Sequence, residues 1–202
     1  SQFQGDYQIK NGHLAANPRI AMPEMSNIQG HLKFNEKSLH ANGLQLQLFD
    51  NPATLSLSSR PDKSVMIQGS GRITDAALRK LDNNPLTRAM HGTTDWKSSI
   101  LIQAPDVRVD IRTQLLGMAI DLPEPAKKAA DVAGQLTIRF RQEHHQPDKI
   151  AIHYNDWLHA NLLRNPNSTP PTITAGEISL NQPPRFPTGE GIYLRADLQK
   201  LN

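Results

Sequence analysis

The chain of 202 residues contains no cysteine, and aromatic residues account for only 5% of it. The lack of cysteine excludes disulfide bonds, thiolate catalysis and cysteine-ligated zinc sites. No stretch approaches 18 consecutive apolar residues, and no charged segment followed by an apolar one opens the chain. Neither a transmembrane helix nor a signal peptide is therefore predicted. Since the chain starts at Ser1 without methionine, we expect it to be a section of a longer protein.

The charge is nearly balanced. The chain has 22 Lys and Arg residues against 19 Asp and Glu residues, which gives a formal net charge of +3. Because the basic residues are scattered and no run of five like charges occurs, no nucleic-acid partner is expected. Hydrophobic residues make up 37% of the chain, and this modest fraction favours a thin hydrophobic core over a thick, closed one.

The chain does have a strong alternation of apolar and polar residues. Leu44, Leu46 and Leu48 alternate with glycine and glutamine, and the same period of two recurs over residues 107–111, 136–140 and 192–198. Weaker examples cover residues 28–34, 55–57, 65–73, 150–154, 158–162 and 173–180. Each run predicts a strand with one apolar and one solvated face, as in antiparallel sheets. Turn residues separate the runs, so we predict a mainly β fold.

One segment departs from this pattern. Thr74 and Asp75 precede residues 76–81, a run of strong helix formers with a candidate N-cap. Further short helices are predicted over residues 86–90 and over residues 125–130, where proline occupies the first turn. We therefore predict one to three short helices near residues 74–90 and 125–130. Residues 1–202 would form a single section, with a helical insert at about 74–90.

The polar residues form no recognisable catalytic or metal-binding motif. Eight histidines occur, but none belongs to an H-E-x-x-H pattern or another close ligand pair. Gly189 and Gly191 precede a strand rather than a helix, so they cannot cradle a pyrophosphate. Asp106 and Asp110 share the polar face of one strand with Arg108, as ordinary solvated residues do, and a glycosidase-type carboxylate pair is far less common. We expect neither an enzyme, a metal site nor a cofactor.

The positive observation is architectural. A long series of strands with one apolar face must cover that face in some way. The sheet can pack against a second sheet, close into a barrel, or curl into an open groove that holds an apolar ligand. The residues alone leave these three arrangements open.

Three stretches, taken together, resemble a known family. The first covers residues 28–34, 39–44 and 50–55; the second runs from Gly71 through the predicted helix to the D-W pair ending at Trp96, then residues 107–113. The third is the segment from Gly117 to Lys127. This order resembles the YhdP family of AsmA-like envelope proteins, with its small helix, G-x-x-D-W strand and GLAIDLP-x-P-x-x-K segment. Residues 186–192 are similar to the family's LP-x-x-G-I strand, and the likeness extends over roughly residues 28–198.

The resemblance implies a fold and a role. Proteins of this family are anchored in the inner membrane of Gram-negative bacteria and extend across the periplasm. Their β-sheets curl into a long, taco-like groove, and they are implicated in moving phospholipid to the outer membrane. This chain would be an internal periplasmic section of that groove, with its membrane anchor outside it. Its partners would be phospholipid acyl chains and the neighbouring β-repeats of the same protein, and no catalytic residue comes with the family.

If the groove interpretation holds, its lining is formed by the apolar members of the alternating runs. These candidates are Leu44, Leu46, Leu48, Leu55, Leu57, Val107, Val109, Ile111, Leu136, Ile138, Phe140, Ile192, Leu194 and Leu198. The alternative for each is ordinary packing against its neighbours or against the helix around Leu78 and Leu81. For the whole chain, the alternative function is a structural or protein-binding β-module of the envelope, with its interior filled between two sheets.

Overall fold

The computed structural model describes residues 4–17 and 22–197, and the thirteen strands of this part of the chain belong to one sheet. Twelve strands lie side by side in chain order, and β8 pairs separately with β6. The strands are β1 (Gln4–Leu14), β2 (Met25–Asn35), β3 (Leu39–Leu48), β4 (Asn51–Ser59), β5 (Val65–Thr74), β6 (Met90–Gln103), β7 (Asp106–Thr113), β8 (Met118–Ile120), β9 (Leu136–Gln142), β10 (Asp148–Tyr154), β11 (Leu158–Asn165), β12 (Thr172–Leu180) and β13 (Gly191–Ala196).

The sheet is curled and open, as the resemblance to the YhdP family implied. The solvent-accessible surface of the chain is 13007 Å². A compact monomer of the same mass, 22.5 kDa, is expected to expose only about 9,500 Å². The excess surface means that no second layer covers most of the sheet, so the fold is neither a sandwich nor a closed barrel.

The predicted antiparallel pairing holds from β1 to β12, and the last strand differs. β13 runs parallel to β12, with Gly176 opposite Ile192 and Ile178 opposite Leu194. Parallel strands need a crossover connection rather than a tight turn, and residues 181–190 supply it. Alternation along a strand fixes which residues share a face but carries no information on strand direction, so this feature was missed.

Two short helices follow β5. α1 (Asp75–Leu81) starts after the N-cap Thr74, whose hydroxyl accepts a hydrogen bond from the Ala77 amide, as predicted. α2 (Pro85–Arg88) has proline in its first turn and a capping box between Asn84 and Thr87. The third predicted helix, over 125–130, does not form. That segment is held by a bridge between Ile120 and Lys128, and the proline there serves a turn instead.

The turn between β3 and β4 has two central residues. Here the tight turn is made by Phe49 and Asp50, with φ angles of 52° and 60°. Positive φ at both central residues is the geometry of a type I′ hairpin turn, for which glycine is well suited. The Asn51 side-chain amide donates to the Phe49 carbonyl and supports the turn.

The densest packing lies at one end of the central strands. We call it the rim core, formed by Met90, Leu115, Met118, Ile120 and Tyr154. Leu78 of α1 and Trp157 pack against it, as do Leu122, Leu136 and Leu158. The helices, β8 and the connection between β7 and β9 therefore cover one end of β6–β11 and leave the remainder of the sheet open.

Candidate functional site

The strand register places apolar residues in a line across the whole sheet. Directly paired residues of adjacent strands project from the same face. Following the pairs from β1 to β13 gives one residue per strand, and we call this set the apolar row. It consists of Tyr7, Leu32, Ala41, Leu57, Ile67, Ile100, Val109, Phe140, Ile150, Leu162, Gly176 and Ile192. Every member is apolar or glycine, and Tyr7 alone carries a hydroxyl.

A second line runs beside the apolar row on the same face. From β3 to β13 it consists of Leu44, Leu55, Gly69, Ser98, Ile111, Ile138, Ile152, Ala160, Ile178 and Leu194. Together the two lines form an apolar face at right angles to the strands, in which Ser98 is the one polar member of the second line. With strands spaced about 4.8 Å apart, twelve strands extend it over roughly 50 Å.

The register brings together all the lining candidates that lie in the described part of the chain. Leu57, Val109, Phe140 and Ile192 belong to the apolar row. The second line contains Leu44, Leu55, Ile111, Ile138 and Leu194, while Leu46, Leu48, Val107 and Leu136 flank the two lines on the same face. The last candidate, Leu198, lies outside the described residues. Whether any of these residues contacts a ligand stays a prediction.

Most of these lining candidates have side chains that are neither fully buried nor fully exposed. Leu44, Leu46 and Phe140 are buried, at 6%, 5% and 8% exposure. Leu48, Leu55, Leu57, Val107, Val109, Ile111 and Ile138 are half-buried. Leu136 packs against the rim core. Towards β13 the face opens further, because Ile192 is 60% and Leu194 is 71% exposed.

Three glycines of the apolar face lie beneath large side chains of neighbouring strands. The Trp96 indole lies over two glycines of β5: a Cβ at Gly71 would stand 2.9 Å from its Cζ2 atom, and one at Gly69 would stand 3.3 Å from Cζ3. Leu44 of β3 covers Gly30 of β2 in the same way, because a Cβ at Gly30 would stand 2.6 Å from the Leu44 Cδ2 atom. Any larger residue at these three glycines would displace the covering side chain.

Sequence reasoning assigned only four of the twelve residues of the apolar row to the lining. The eight that it missed are Tyr7, Leu32, Ala41, Ile67, Ile100, Ile150, Leu162 and Gly176. Ile100 was missed because Ile100, Leu101 and Ile102 are three consecutive apolar residues, which obscure the alternation on β6. The others belong to weaker alternating runs that were recognised as strands but not assigned to the lining. Tyr7 and Ala41 are exceptions, because they lie outside the runs that were recognised. The alternation of those weaker runs was the signal that could have found them.

One end of the apolar face carries a buried ion pair. The Arg164 guanidinium lies 2.7 Å from Oδ2 of Asp148, which is fully buried. The same guanidinium stands 5.0 Å from the centre of the Phe140 ring. Asp148 and Arg164 are directly paired across β10 and β11. The ion pair therefore joins these two strands at the end that lies away from the rim core.

The segment from Gly117 to Lys127 builds structure rather than an exposed site. Met118 is 0% and Ile120 is 7% exposed in the rim core. The next residue, Lys128, is also buried, and its ammonium donates to the carbonyls of Ala129 and Val132 at 2.9 and 2.6 Å. Burial lowers the pKa of Lys128, although Asp131 acts in the opposite direction. This lysine holds the connection between β7 and β9 over the end of the sheet.

The other face of the sheet is polar and holds most of the histidines. His153 and His159 are directly opposed across β10 and β11, with ring centres 4.7 Å apart. Burial lowers the pKa of His153, and the neighbouring His159 and Arg139 lower it further. Over residues 4–17 and 22–197, no three His, Asp or Glu side chains converge as a metal site would require.

Two histidines contact carboxylates on the surface. His13 lies 2.9 Å from Glu24, and His31 lies 3.3 Å from Asp6. The His31 and Asp6 side chains are 60% and 54% exposed. The His13 and Glu24 side chains are exposed to a similar extent, so both contacts contribute little to stability.

These features define a class of protein: a mainly β chain with a single open sheet, apolar on one face and polar on the other. In the described part of the chain, no helix is long and apolar enough to cross a membrane. A family model described as "YhdP protein" matches residues 1–202, so the chain belongs to the YhdP family, as the sequence motifs predicted. Membership indicates an AsmA-like envelope protein. No curated protein and no solved structure matches the chain.

Proposed function

We propose that this chain is a section of a bridge-like lipid-transport protein, whose apolar face carries phospholipid across the periplasm between the inner and outer membranes. The observation that carries the proposal is the apolar row, which crosses twelve strands without a charged residue and is left largely uncovered. A soluble protein seldom exposes such a continuous apolar surface without a partner for it.

The dimensions of the apolar face suit an acyl chain. Half of a bilayer's hydrocarbon core, the depth that one acyl chain spans, is about 15 Å. The apolar face is therefore long enough for about three such chains end to end. Each methylene withdrawn from water contributes about 0.8 kcal/mol, and a continuous row lets a chain slide without meeting a polar barrier. The head group stays in water beyond the rims.

The proposed role needs no catalytic residue, metal or cofactor, because moving a lipid along a surface breaks no bond. We therefore propose a protein that is not an enzyme, with phospholipid acyl chains as its ligand. We also propose that neighbouring β-repeats of the same protein continue the sheet at its two edges, β1 and β13. The membrane anchor would lie outside this section.

Photo-crosslinking tests the proposal. A photoreactive amino acid is placed at Leu57 or Ile67, which are paired on the apolar row, and the protein is incubated with phosphatidylcholine. The matched controls are Ser58 and Gln68, the next residues along the same strands, which project from the polar face. Capture of lipid at Leu57 and Ile67, with little at the controls, is expected.

Equal capture at all four positions would contradict the proposal. The alternative, a structural or protein-binding module, predicts that no position captures lipid and that a protein partner is crosslinked at Leu57 and Ile67 instead. A neutral lipid is used so that charge on the polar face contributes nothing to the result.

A further inference from the structure

The polar face carries a cluster of cations on four neighbouring strands. We call it the basic patch, formed by Lys97, Arg108, Arg112, Arg139, Arg141 and Lys149. All except the half-buried Lys149 are exposed. Four carboxylates lie among or beside them, Asp95, Asp106, Asp110 and Glu143, and Asp95 is ion-paired with Arg72 at 3.0 Å. The whole chain has a net charge of only +3, so cations are concentrated here.

The register places like charges directly opposite one another in this patch. Lys97 is paired with Arg112 across β6 and β7. Arg141 of β9 is paired with Arg108 on one side and with Lys149 on the other. Like charges at directly opposed positions destabilise a sheet. The arrangement therefore has an unfavourable electrostatic energy unless an anion lies over it.

Internal carboxylates neutralise only part of the patch. Arg139 lies 3.2 Å from Asp110, and Lys149 lies 3.4 Å from Glu143. Within residues 4–17 and 22–197, Lys97, Arg108, Arg112 and Arg141 form no ion pair. Asp106 accepts a hydrogen bond from the His144 amide. Four cations are thus available to an external anion.

We propose that the basic patch is a docking surface for an anionic phospholipid surface. The cations form a two-dimensional array over four strands, which matches many mobile phosphates in a plane better than a single polymer strand. Arginine, which supplies four of the six, binds phosphate with two parallel hydrogen bonds. Half-buried Leu101 and Leu163 flank the array on the same face, as suits the boundary between head groups and acyl chains. This docking is independent of the proposed transport along the opposite face.

Vesicle sedimentation with the whole chain tests this proposal. The probes are vesicles of phosphatidylglycerol mixed with phosphatidylcholine, and vesicles of phosphatidylcholine alone. At low salt the chain should bind the anionic vesicles much more tightly, and about 1 M sodium chloride, where the Debye length is about 3 Å, should abolish the difference. The variant Arg108→Gln/Arg141→Gln should bind anionic vesicles about tenfold more weakly or worse.

The control variant is Lys10→Gln/Lys37→Gln, which removes the same charge from exposed residues far from the patch and should bind like the parent chain. Because Arg141 faces two cations, Arg141→Gln should melt no lower than the parent, which separates lost binding from lost folding. Equal binding by the two double variants would overturn the proposal. So would equal binding to the two vesicle types, or binding to a soluble acidic polymer such as polyglutamate in preference to the vesicles. Failure here leaves lipid capture at Leu57 and Ile67 unaffected.

Discussion

Met118 in the rim core and Ile138 on the apolar face are both long aliphatic residues, yet Met118 is completely buried and Ile138 is half-exposed. The two regions share one sheet, and Leu136, two residues from Ile138, packs against the rim core. The difference is in what covers them. Helices, β8 and the β7–β9 connection close over the rim core, whereas nothing in the described residues closes over the apolar row. Stability is therefore concentrated at one rim, and the open face is available for another role.

The largest effect should come from the rim core. Met118→Ala removes a fully buried side chain and leaves a cavity that rigid neighbours fill poorly. We expect the free energy of unfolding to fall by about 3 kcal/mol. Leu116→Ala, two residues earlier and 53% exposed, should change it by no more than about 0.5 kcal/mol. Urea denaturation of the two variants checks this, and similar losses would mean that the rim core is not a distinct stabilising region.

The apolar face should respond in the opposite way. Ile138→Ala should lower the free energy of unfolding by only about 1 kcal/mol, since the side chain is already partly in water. Ile138→Asp should leave the chain folded, because water reaches the new carboxylate, but should reduce phosphatidylcholine capture at Ile67 several-fold. The charge would interrupt the surface that is proposed to hold the acyl chain. Circular dichroism and crosslinking yield measure the two effects, and unfolding of Ile138→Asp would show that the face is a closed core.

The smallest effect concerns the polar side of the open region. The pKa of His153 is lowered in the folded state by burial first, and then by His159 and Arg139. The unfolded chain therefore binds more protons as the pH falls through the ordinary histidine range near 6.5, and stability declines with it. The parent should melt at a lower temperature at pH 5.5 than at pH 7.5, and His153→Gln should reduce this difference. An unchanged pH dependence in His153→Gln would exclude His153 as its source.

The two regions differ in how well the sequence predicted them. The apolar face follows from alternation within single strands, so Leu44, Val109 and Ile138 were assigned to one face correctly. The rim core depends on contacts between segments far apart in the chain, such as Leu78, Met118 and Tyr154. No local sequence pattern predicts those contacts. Residues 125–130 illustrate the limit: proline fits the first turn of a helix and a bend equally well, and the bridge from Lys128 to Ile120 decided the outcome.

Likewise, local patterns could not predict which residues pair between strands or in which direction each strand runs. The apolar row became visible only once each residue was matched with its neighbour, and the parallel orientation of β13 depends on the crossover formed by residues 181–190. The burial of Lys128 was not predicted, because nothing local to the Lys127-Lys128 pair indicates that one of the two lysines is buried. By contrast, the N-cap at Thr74 was predicted, since capping depends on neighbouring residues alone.

The right-angle relation between the apolar row and the strands has an evolutionary consequence. Each further strand would lengthen the apolar row by about 4.8 Å without altering any existing turn or packing arrangement. Duplication of a hairpin is then enough to span a wider gap, and deletion of one enough to fit a narrower gap. Under the proposed function, the distance that such a protein spans would be set by the number of its strands, and no single residue would be irreplaceable for lipid transport.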